Sequence, residues 1–498
     1  MSTAKNKSDT ISATINEVVA KYEPTIGIEC HVQLATDTKL FSPSSNDARE
    51  AEPNATTNHI DFGLPGVLPI LNKRAVELAA IAGKALNSKI ANTSRFDRKH
   101  YFYPDLPKGY QTTQMYEPII LGGYVEAPLD DGTLVKVTLH HAHLEDDAGK
   151  LTHYGDYSLV DLNRAGTPLI EIVSNPDIHS AAAAKAYASE LHRLMVFSGA
   201  SLGNLYHGNM RFDVNVSVAP KGSKTLGNRA EVKNLNSFKS VEKAAEFEID
   251  RQIKLLENGE KVKQETRGWN EAKQKTISQR SKEDAQDYRY MPDPDNPPII
   301  LTDEEILKMQ ENMPKLPAYY RNKWASLKLD NSVINALLDN KSHAYLVDEV
   351  QEKSGDDAAT KVAHWLTSAL ISDSSAIESA EAILPTTSQT IELAEMVSAN
   401  ELSSTSAKDI FNKMGDSKKS ARELATELNL IQISDTSAIE SIVDEVLAYP
   451  ASQQSVTDIK EGKEKAIGYL VGQVMKASKG KANPGMAGKM IKEKINEL

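Results

Sequence analysis

At 498 residues the chain is too long for one hydrophobic core, and ~100–200 residues per domain implies about three domains. Its 40% apolar and 25% charged residues are ordinary for a soluble protein, and runs such as Val67–Leu71 and Ala79–Ala82 fall far short of the ~20 residues of a membrane helix. The net charge of -12 excludes a general attraction to nucleic acid, and the lone Cys30 can form neither an internal disulfide nor a cysteine-rich zinc site, which fits the cytoplasm.

Met1–Tyr22 is rich in Ser, Thr and Lys and lacks the apolar segment of a secretory signal, so residues 1–21 are expected to be a disordered lead-in. From 22 to 300, alternating runs at Tyr22–Leu34, Leu134–Glu145, Leu169–Ser174 and Met210–Ala219 predict strands of an antiparallel-type sheet. Helical periodicity at Lys73–Leu86, Ala181–Phe197 and Ser237–Glu257 completes an α+β layout. The proline cluster Met291–Pro298 closes this part. Short helices are then predicted at Thr302–Met309, Pro314–Leu327, Ser332–Leu338 and Ser342–Ser354, within a helical region of 301–405. A Ser/Thr-rich stretch around Ser372–Thr390 interrupts it. A tail of 406–498 carries further helices at Ala407–Met414, Lys418–Leu428, Thr436–Tyr449, Ile467–Ala477 and Met486–Asn496.

Successive side chains on a strand point to opposite faces, so in Thr25–Val32 Glu29 and His31 share one face while Ile28, Cys30 and Val32 share the other. An acid beside an imidazole suits a divalent cation or a general-base pair, and a solvated outer face accounts for it too. In Leu134–Asp147 the face of Val135, Val137 and Leu139 is expected to continue as His141, His143 and Glu145, leading from a core into a cavity. Glu145-Asp146-Asp147 calls for a cation, unless it is a solvated acidic turn. In the third strand Met210, Phe212, Val214, Val216 and Val218 point inward, leaving Arg211, Asp213, Asn215 and Ser217 opposite, and Glu231 and Lys233 share a side of the next segment. If Glu29, His31, Glu145, Asp213 and Glu231 converge, they form a mostly oxygen-ligand set suited to Mg²⁺ held together with substrate phosphates.

The segment Asp97–Tyr110 could set Lys99 and Lys108 on phosphates and stack a ring such as Tyr101 on a base; Arg267-Gly268 and Arg280–Pro292, with Arg289, offer the same chemistry. Both are equally readable as stiff surface loops. No P-loop and no Gly-x-Gly-x-x-Gly fingerprint occurs, so a nucleotide site must be of another type. A Ser/Gly-rich amidase motif is also missing, so any ammonia used here must be released by another chain. Lys460–Leu498 holds nine Lys against four Glu, a local +5 that fits an RNA backbone or an ordinary solvated helix.

Several segments in order resemble one family. They are Gly27–Leu34, Gly63–Pro69, Lys99–Gln111, His143–Lys150, Asn163–Val173, Glu231–Phe238, Asp287–Tyr290 and Gly480–Pro484. Together they are similar to the B subunit of the heterotrimeric glutamyl-/aspartyl-tRNA amidotransferase, from about Tyr22 to the C-terminus. The resemblance implies a cradle-shaped catalytic domain, a helical domain and a YqeY-like tail that binds tRNA. It implies an enzyme, a carbon–nitrogen ligase with glutamine as amide donor, that uses ATP and Mg²⁺ to phosphorylate the side-chain carboxylate of Glu-tRNA(Gln) or Asp-tRNA(Asn). Ammonia from a glutaminase A subunit then displaces the phosphate, and a small C subunit completes the heterotrimer. Carried over by motif, the site is Glu29, His31, Lys99, Glu145, Asp213 and Glu231. Many members carry zinc-binding cysteines before the Gly-Leu-Pro-Gly motif; Phe41–Phe62 has none, so no zinc is expected. A competing expectation is a non-catalytic tRNA-binding adaptor, which has no need of the carboxylates and the histidine.

Overall fold

The computed structural model describes residues 21–281, 287–372, 383–432, 436–478 and 481–497. The expected lead-in falls outside them apart from Lys21, as does part of the Ser/Thr-rich stretch. The chain divides into two compact units, Met1–Tyr319 and Tyr320–Leu498. Among the described residues no helix is long and apolar enough to cross a membrane.

The first unit is built on a ten-stranded sheet. Its strands are β1 (Tyr22–Gln33), β2 (Lys89–Ile90), β3 (Ile120–Leu121), β4 (Tyr124–Pro128), β5 (Leu134–Asp146), β6 (Pro168–Ser174), β7 (Met210–Pro220), β8 (Ala230–Leu235), β9 (Glu265–Asn270) and β10 (Lys275–Ser281). They run in the order β10-β9-β8-β7-β1-β6-β5-β3-β2, with β4 on the outer part of β5. The expected antiparallel layout holds at every pair except β8–β9, which is parallel. Such a sheet with helices is the α+β class read from the sequence.

β1 is central, paired to β7 on one side and β6 on the other. Its Ile26, Ile28, Cys30 and Val32 are buried, as are Met210, Phe212, Val214 and Val216 of β7, in one core shared with α1 (Lys73–Ala85), α2 (Ala181–Ser198) and α3 (Phe238–Glu257). Ser180 caps α2 by accepting from the Ala183 amide at 3.1 Å, and Ser237 caps α3 by accepting from that of Ser240 at 3.0 Å. Each such cap contributes about 1 kcal/mol. With that face given to the core, Glu29, His31, Arg211, Asp213 and Asn215 are left on the other.

β5 departs from the expectation. Val173 pairs with His141, but Ser174 pairs with Leu139, so His140 is an extra residue in a bulge. A bulge reverses which parity of residues faces the core. Val137 and Leu139 before it, and Ala142 and Leu144 after it, therefore enter the same core. The stripe of Val135, Val137 and Leu139 does not continue as His141, His143 and Glu145: those three lie on the opposite face. Beside the bulge, the Ser174 hydroxyl accepts from the buried Ile28 amide at 2.8 Å.

Two shorter features adjoin the sheet. Asp97–His100 pairs with Tyr110–Thr113 and with Met291–Pro292, an edge position that tolerates proline. Within 41–62, Asp61 accepts from the hydroxyls of Ser42 and Ser44 at 2.8 and 2.7 Å and from the Asn58 amide at 3.0 Å, with the buried Lys39 amine at 3.4 Å.

The second unit is helical. Asn331–Leu338 is followed by Lys341–Ser372, bent at Gly355, where φ is 82°. The expected helix end at Ser354 falls at this glycine, whose non-helical backbone separates two helical stretches. Thr387–Ser398, Ser404–Met414 and Ala421–Glu427 follow. Thr436–Ala448, Ile467–Ala477 and Pro484–Glu497 pack Ile439, Val443, Leu470 and Ile491 into a separate core.

Candidate functional site

The site lies on the face of the first sheet turned away from the core. Register sets it: Glu29 stands opposite Asp213, His31 opposite both Glu171 and Arg211, and Glu171 opposite His143. The five expected ligands do not form one cluster. They fall into two groups, joined by the Glu29–His31 step of β1.

The first group is His31, Glu145 and Glu171, whose ligand atoms all lie within 4.8 Å of one another. His31 Nε2 is 3.5 Å from Glu145 Oε1 and 3.6 Å from Glu171 Oε2. Behind them His143 Nε2 lies 3.4 Å from Glu171 and 3.7 Å from Glu145. Burial disfavours charge on His143, but hydrogen bonding to Glu145 and Glu171 prevails and pushes its pKa up to about 9. Burial would raise the Glu171 carboxyl, yet His143, His31 and Lys99 hold it well below the usual carboxylate range. His141 Nε2 contacts His143 Nδ1 at 3.1 Å; burial and the two neighbouring imidazoles lower its pKa to about 4. Burial also opposes charge on Lys99, but Glu145, Tyr290 and Glu171 outweigh it and raise the amine above its ordinary value. The Lys99 ammonium sits 5.0 Å from the Tyr288 ring centre.

The second group is Glu29, Asp213 and Glu231, again within 4.8 Å. A neutral donor orients each carboxylate: Asn215 Nδ2 at 3.0 Å from Glu29, the Asn234 amide at 2.8 Å from Asp213, and the Thr266 hydroxyl at 3.0 Å from Glu231. Lys233 Nζ reaches between them, 3.1 Å from Asp213 and 2.8 Å from Glu231. Burial works against its charge, and the two acids overcome it and raise the amine. Burial first, then Glu171 and Glu231, push the Glu29 carboxyl up.

Glu145-Asp146-Asp147 is not a solvated turn, since all three side chains are buried. Asp146 accepts from Lys108 and, at 2.7 Å, from the Thr112 amide. Asp147 pairs with Arg211 at 2.9 Å and Arg164 at 3.4 Å. A cavity of about 120 Å³ opens beside this wall, lined by Leu64, Val67, Lys108, Asp146, Asp147 and Gly166 among others. Lys108 therefore faces that cavity, committed to Asp146. Tyr101 is half-buried, edge-on to Tyr288 at 6.1 Å. Arg289 is exposed, and its carbonyl accepts from His100 Nδ1 at 3.0 Å. Cys30 is fully buried on the core face, where burial pushes its thiol well above its usual pKa.

Glu171 and His143 were missed as members of the site, as was Asn215, whose buried Oδ1 has no partner. Glu171 left a signal, being the one charged residue of Pro168–Ser174.

Residues 24–307 match the GatB/GatE catalytic domain, and residues 346–495 match the GatB domain. The chain belongs to the GatB/GatE family. A relative from Janthinobacterium sp. (strain Marseille), named as the B subunit of aspartyl/glutamyl-tRNA(Asn/Gln) amidotransferase, is 44% identical over 95% of this chain and 99% of its own length. A protein of the same name from Trichodesmium erythraeum is 43% identical, covering 96% of this chain and 98% of its own. From Physcomitrium patens, the chloroplastic/mitochondrial B subunit of glutamyl-tRNA(Gln) amidotransferase is also 43% identical, over 96% and 86%. In this GatB-family chain the matched catalytic region contains both acidic groups.

Proposed function

We propose that this chain is the carboxylate-activating subunit of a tRNA-dependent amidotransferase, acting on Glu-tRNA(Gln), Asp-tRNA(Asn) or both. The observation that carries the reading is the pairing of two acidic groups along one strand, at Glu29 and His31, inside a family whose relatives are named for this activity.

A side-chain carboxylate is a poor electrophile because its leaving group is oxide. Transfer of the terminal phosphoryl group of ATP to a carboxylate oxygen gives an acyl phosphate and ADP. Ammonia then attacks the carbonyl carbon, the C–N bond forms, and phosphate leaves. Mg²⁺ would offset charge gathered on the phosphates during such a transfer. The residues fit that ion. His31, Glu145 and Glu171 would hold one, Glu29, Asp213 and Glu231 a second, and Asn215 Oδ1 is a buried acceptor still without a partner. Lys99, kept charged by Glu145 and Glu171, would meet an anionic oxygen of the phosphates. Lys108 lines the cavity, and Tyr101 and Arg289 belong to neither group.

Ammonia would come from a glutaminase A subunit, since the lone thiol is buried and turned from the site. A small C subunit would complete the assembly, and the basic tail would hold tRNA. A cytoplasmic location fits the lone cysteine. The adaptor alternative leaves the buried acids and histidines without a purpose. In a reconstituted complex, Glu145→Ala should abolish ADP formation that depends on mischarged tRNA, while glutaminase activity persists. Unchanged ADP formation would overturn the site assignment.

A further inference from the structure

Two loops at one end of the first sheet carry positive charge that the site does not use. β7 ends at Pro220, and the loop from there to β8 holds Lys221, Lys224 and Arg229 with no acid. The segment 258–264, between α3 and β9, holds Lys261 and Lys263 against Glu260. Five cations against one acid make a local +4 in a chain of net -12. Pairing brings the two loops together. β8 and β9 run parallel with Ala230 opposite Glu265, and Asn228 Nδ2 donates to the Val262 carbonyl at 2.8 Å. Gly227 lies so close to β7 that a Cβ there would stand 2.2 Å from the Val218 carbonyl oxygen, so only glycine lets the loop fold back on its strand. On the other side the Lys221 amide donates to the Lys21 carbonyl at 2.9 Å. All six cations, Lys21 included, are exposed. They form a row across the ends of β1, β7, β8 and β9, three strand spacings or about 14 Å wide.

We propose that this row of cations is a docking surface for a ribose-phosphate backbone, that of the tRNA whose end carries the substrate carboxylate. The inference rests on the functional reading above and adds to it a place where the first unit grips the RNA. Other exposed lysines of the chain are matched by acids, as Lys243 is by Glu246, Lys463 by Asp458 and Lys494 by Asp444. None of the six cations in the row forms an ion pair with a described residue. Like charges gathered at such spacing repel one another, and a polyanion relieves the repulsion while releasing its own counterions. The surface is a poor one for a protein partner. Leu226 is the one large apolar side chain exposed on the two loops, whereas the cores of protein interfaces are apolar and depleted of lysine. Its place in the sheet gives it a separate task from the chemistry. Along β1 and β7 the step from the Tyr22–Pro220 pair to the Glu29–Asp213 pair is seven residues, about 23 Å. Phosphates held there belong to the RNA body and not to the reacting end, so the row contributes affinity and leaves the transfer step alone.

The test uses the full-length chain and tRNA(Gln). Acetylation of the wild-type lysines, read by mass spectrometry with and without the tRNA, should show Lys221, Lys224, Lys261 and Lys263 protected at least threefold. A chain carrying Lys221→Gln, Lys224→Gln, Lys261→Gln and Lys263→Gln together should bind the tRNA at least tenfold more weakly. The slope of its log affinity against log salt should flatten by about 2–3. The same four positions changed to Arg should keep both affinity and slope. In the reconstituted complex the Gln variant should raise KM for mischarged tRNA and leave kcat unchanged. Lysines that stay reactive under bound tRNA overturn the surface, as does an unchanged affinity and slope in the folded Gln variant. Protection by poly-glutamate but not by tRNA also overturns it, marking a dock for an acidic protein instead. The protection measurement needs wild-type protein alone, so it decides the matter even where the variant fails to fold. A wild-type chain that binds no tRNA at all overturns the functional reading itself, a failure distinct from the others.

Discussion

Asp147→Asn should destabilise the first unit by about 2–3 kcal/mol. Asp147 stands just past the end of β5 and reaches Arg211 on β7, at 2.9 Å, spanning β6 and β1 beneath the site. Removing one member of a fully buried ion pair typically costs 3–5 kcal/mol, because the other charge is left without its partner. Here the Arg211 side chain is 23% exposed and keeps weaker attractions to Glu145 and Asp213, so the lower figure applies. With ~2.1 cal/mol/K per residue over about 300 residues, the unfolding entropy is roughly 0.6 kcal/mol/K, and the loss becomes a Tm drop of about 3–5 °C. Differential scanning calorimetry of the first unit's transition would read it. Burial would raise the Asp147 carboxyl, but Arg211 and Arg164 hold it below its ordinary value. Its contribution is therefore present above the unfolded carboxyl pKa of ~3.9 and is lost as pH falls through the lower folded value. The gap between wild type and variant should be widest near neutrality and close in acid. A Tm change no larger than that of Arg49→Gln, which breaks an exposed pair with Asp47, would refute the argument.

Three other outcomes follow from the same geometry. Ser174→Ala leaves the buried Ile28 amide without its acceptor and should cost about 1–3 kcal/mol in urea unfolding; a change within about 0.5 kcal/mol, the scatter of neutral sites, would mean water replaces the hydroxyl. His143 has its folded pKa raised to about 9, so its stabilisation is complete below ~6.5 and disappears as pH rises through 9. In metal-free chelator buffer, a pH–stability curve of His143→Gln should lack that alkaline loss, and an identical curve would place the loss elsewhere. Replacing the exposed Lys476, Lys489 and Lys492 by Gln should weaken tRNA binding and flatten its dependence on salt, measured by filter binding. An unchanged slope would take the RNA backbone away from this surface.

Much of the first unit could be read from alternation alone. Ile26 to Val32 and Met210 to Val218 point inward as their spacing demands, which leaves Glu29, His31, Asp213 and Asn215 on the other face. Two things could not be read that way. Pairing of β1 with β6 sets Glu171 against His31, and no single-strand pattern reveals which strands will be neighbours. The bulge at His140 has no compositional mark either; the alternation of Val135, Val137 and Leu139 runs into His141 with no glycine or proline to warn of a break. Lys233 was visible beside Glu231, but its insertion among three acids depends on Asp213 of β7 lying alongside.

The bulge has a consequence for how this chain tolerates change. Each side chain of β5 beyond His140 owes its side of the sheet to one supernumerary residue, so the strand has a reading frame as a gene does. Deleting His140 would remove the bulge and leave His141, His143 and Glu145 on the site face; pairing the intact strand without its bulge would instead turn those three inward and bring Ala142 and Leu144 out to solvent. No chemical group of the site would be missing from such a chain, yet part of one acidic group would be facing the wrong way. Deletion of His140 should therefore be far milder than a one-residue deletion in β1, whose registers hold no extra residue to give up.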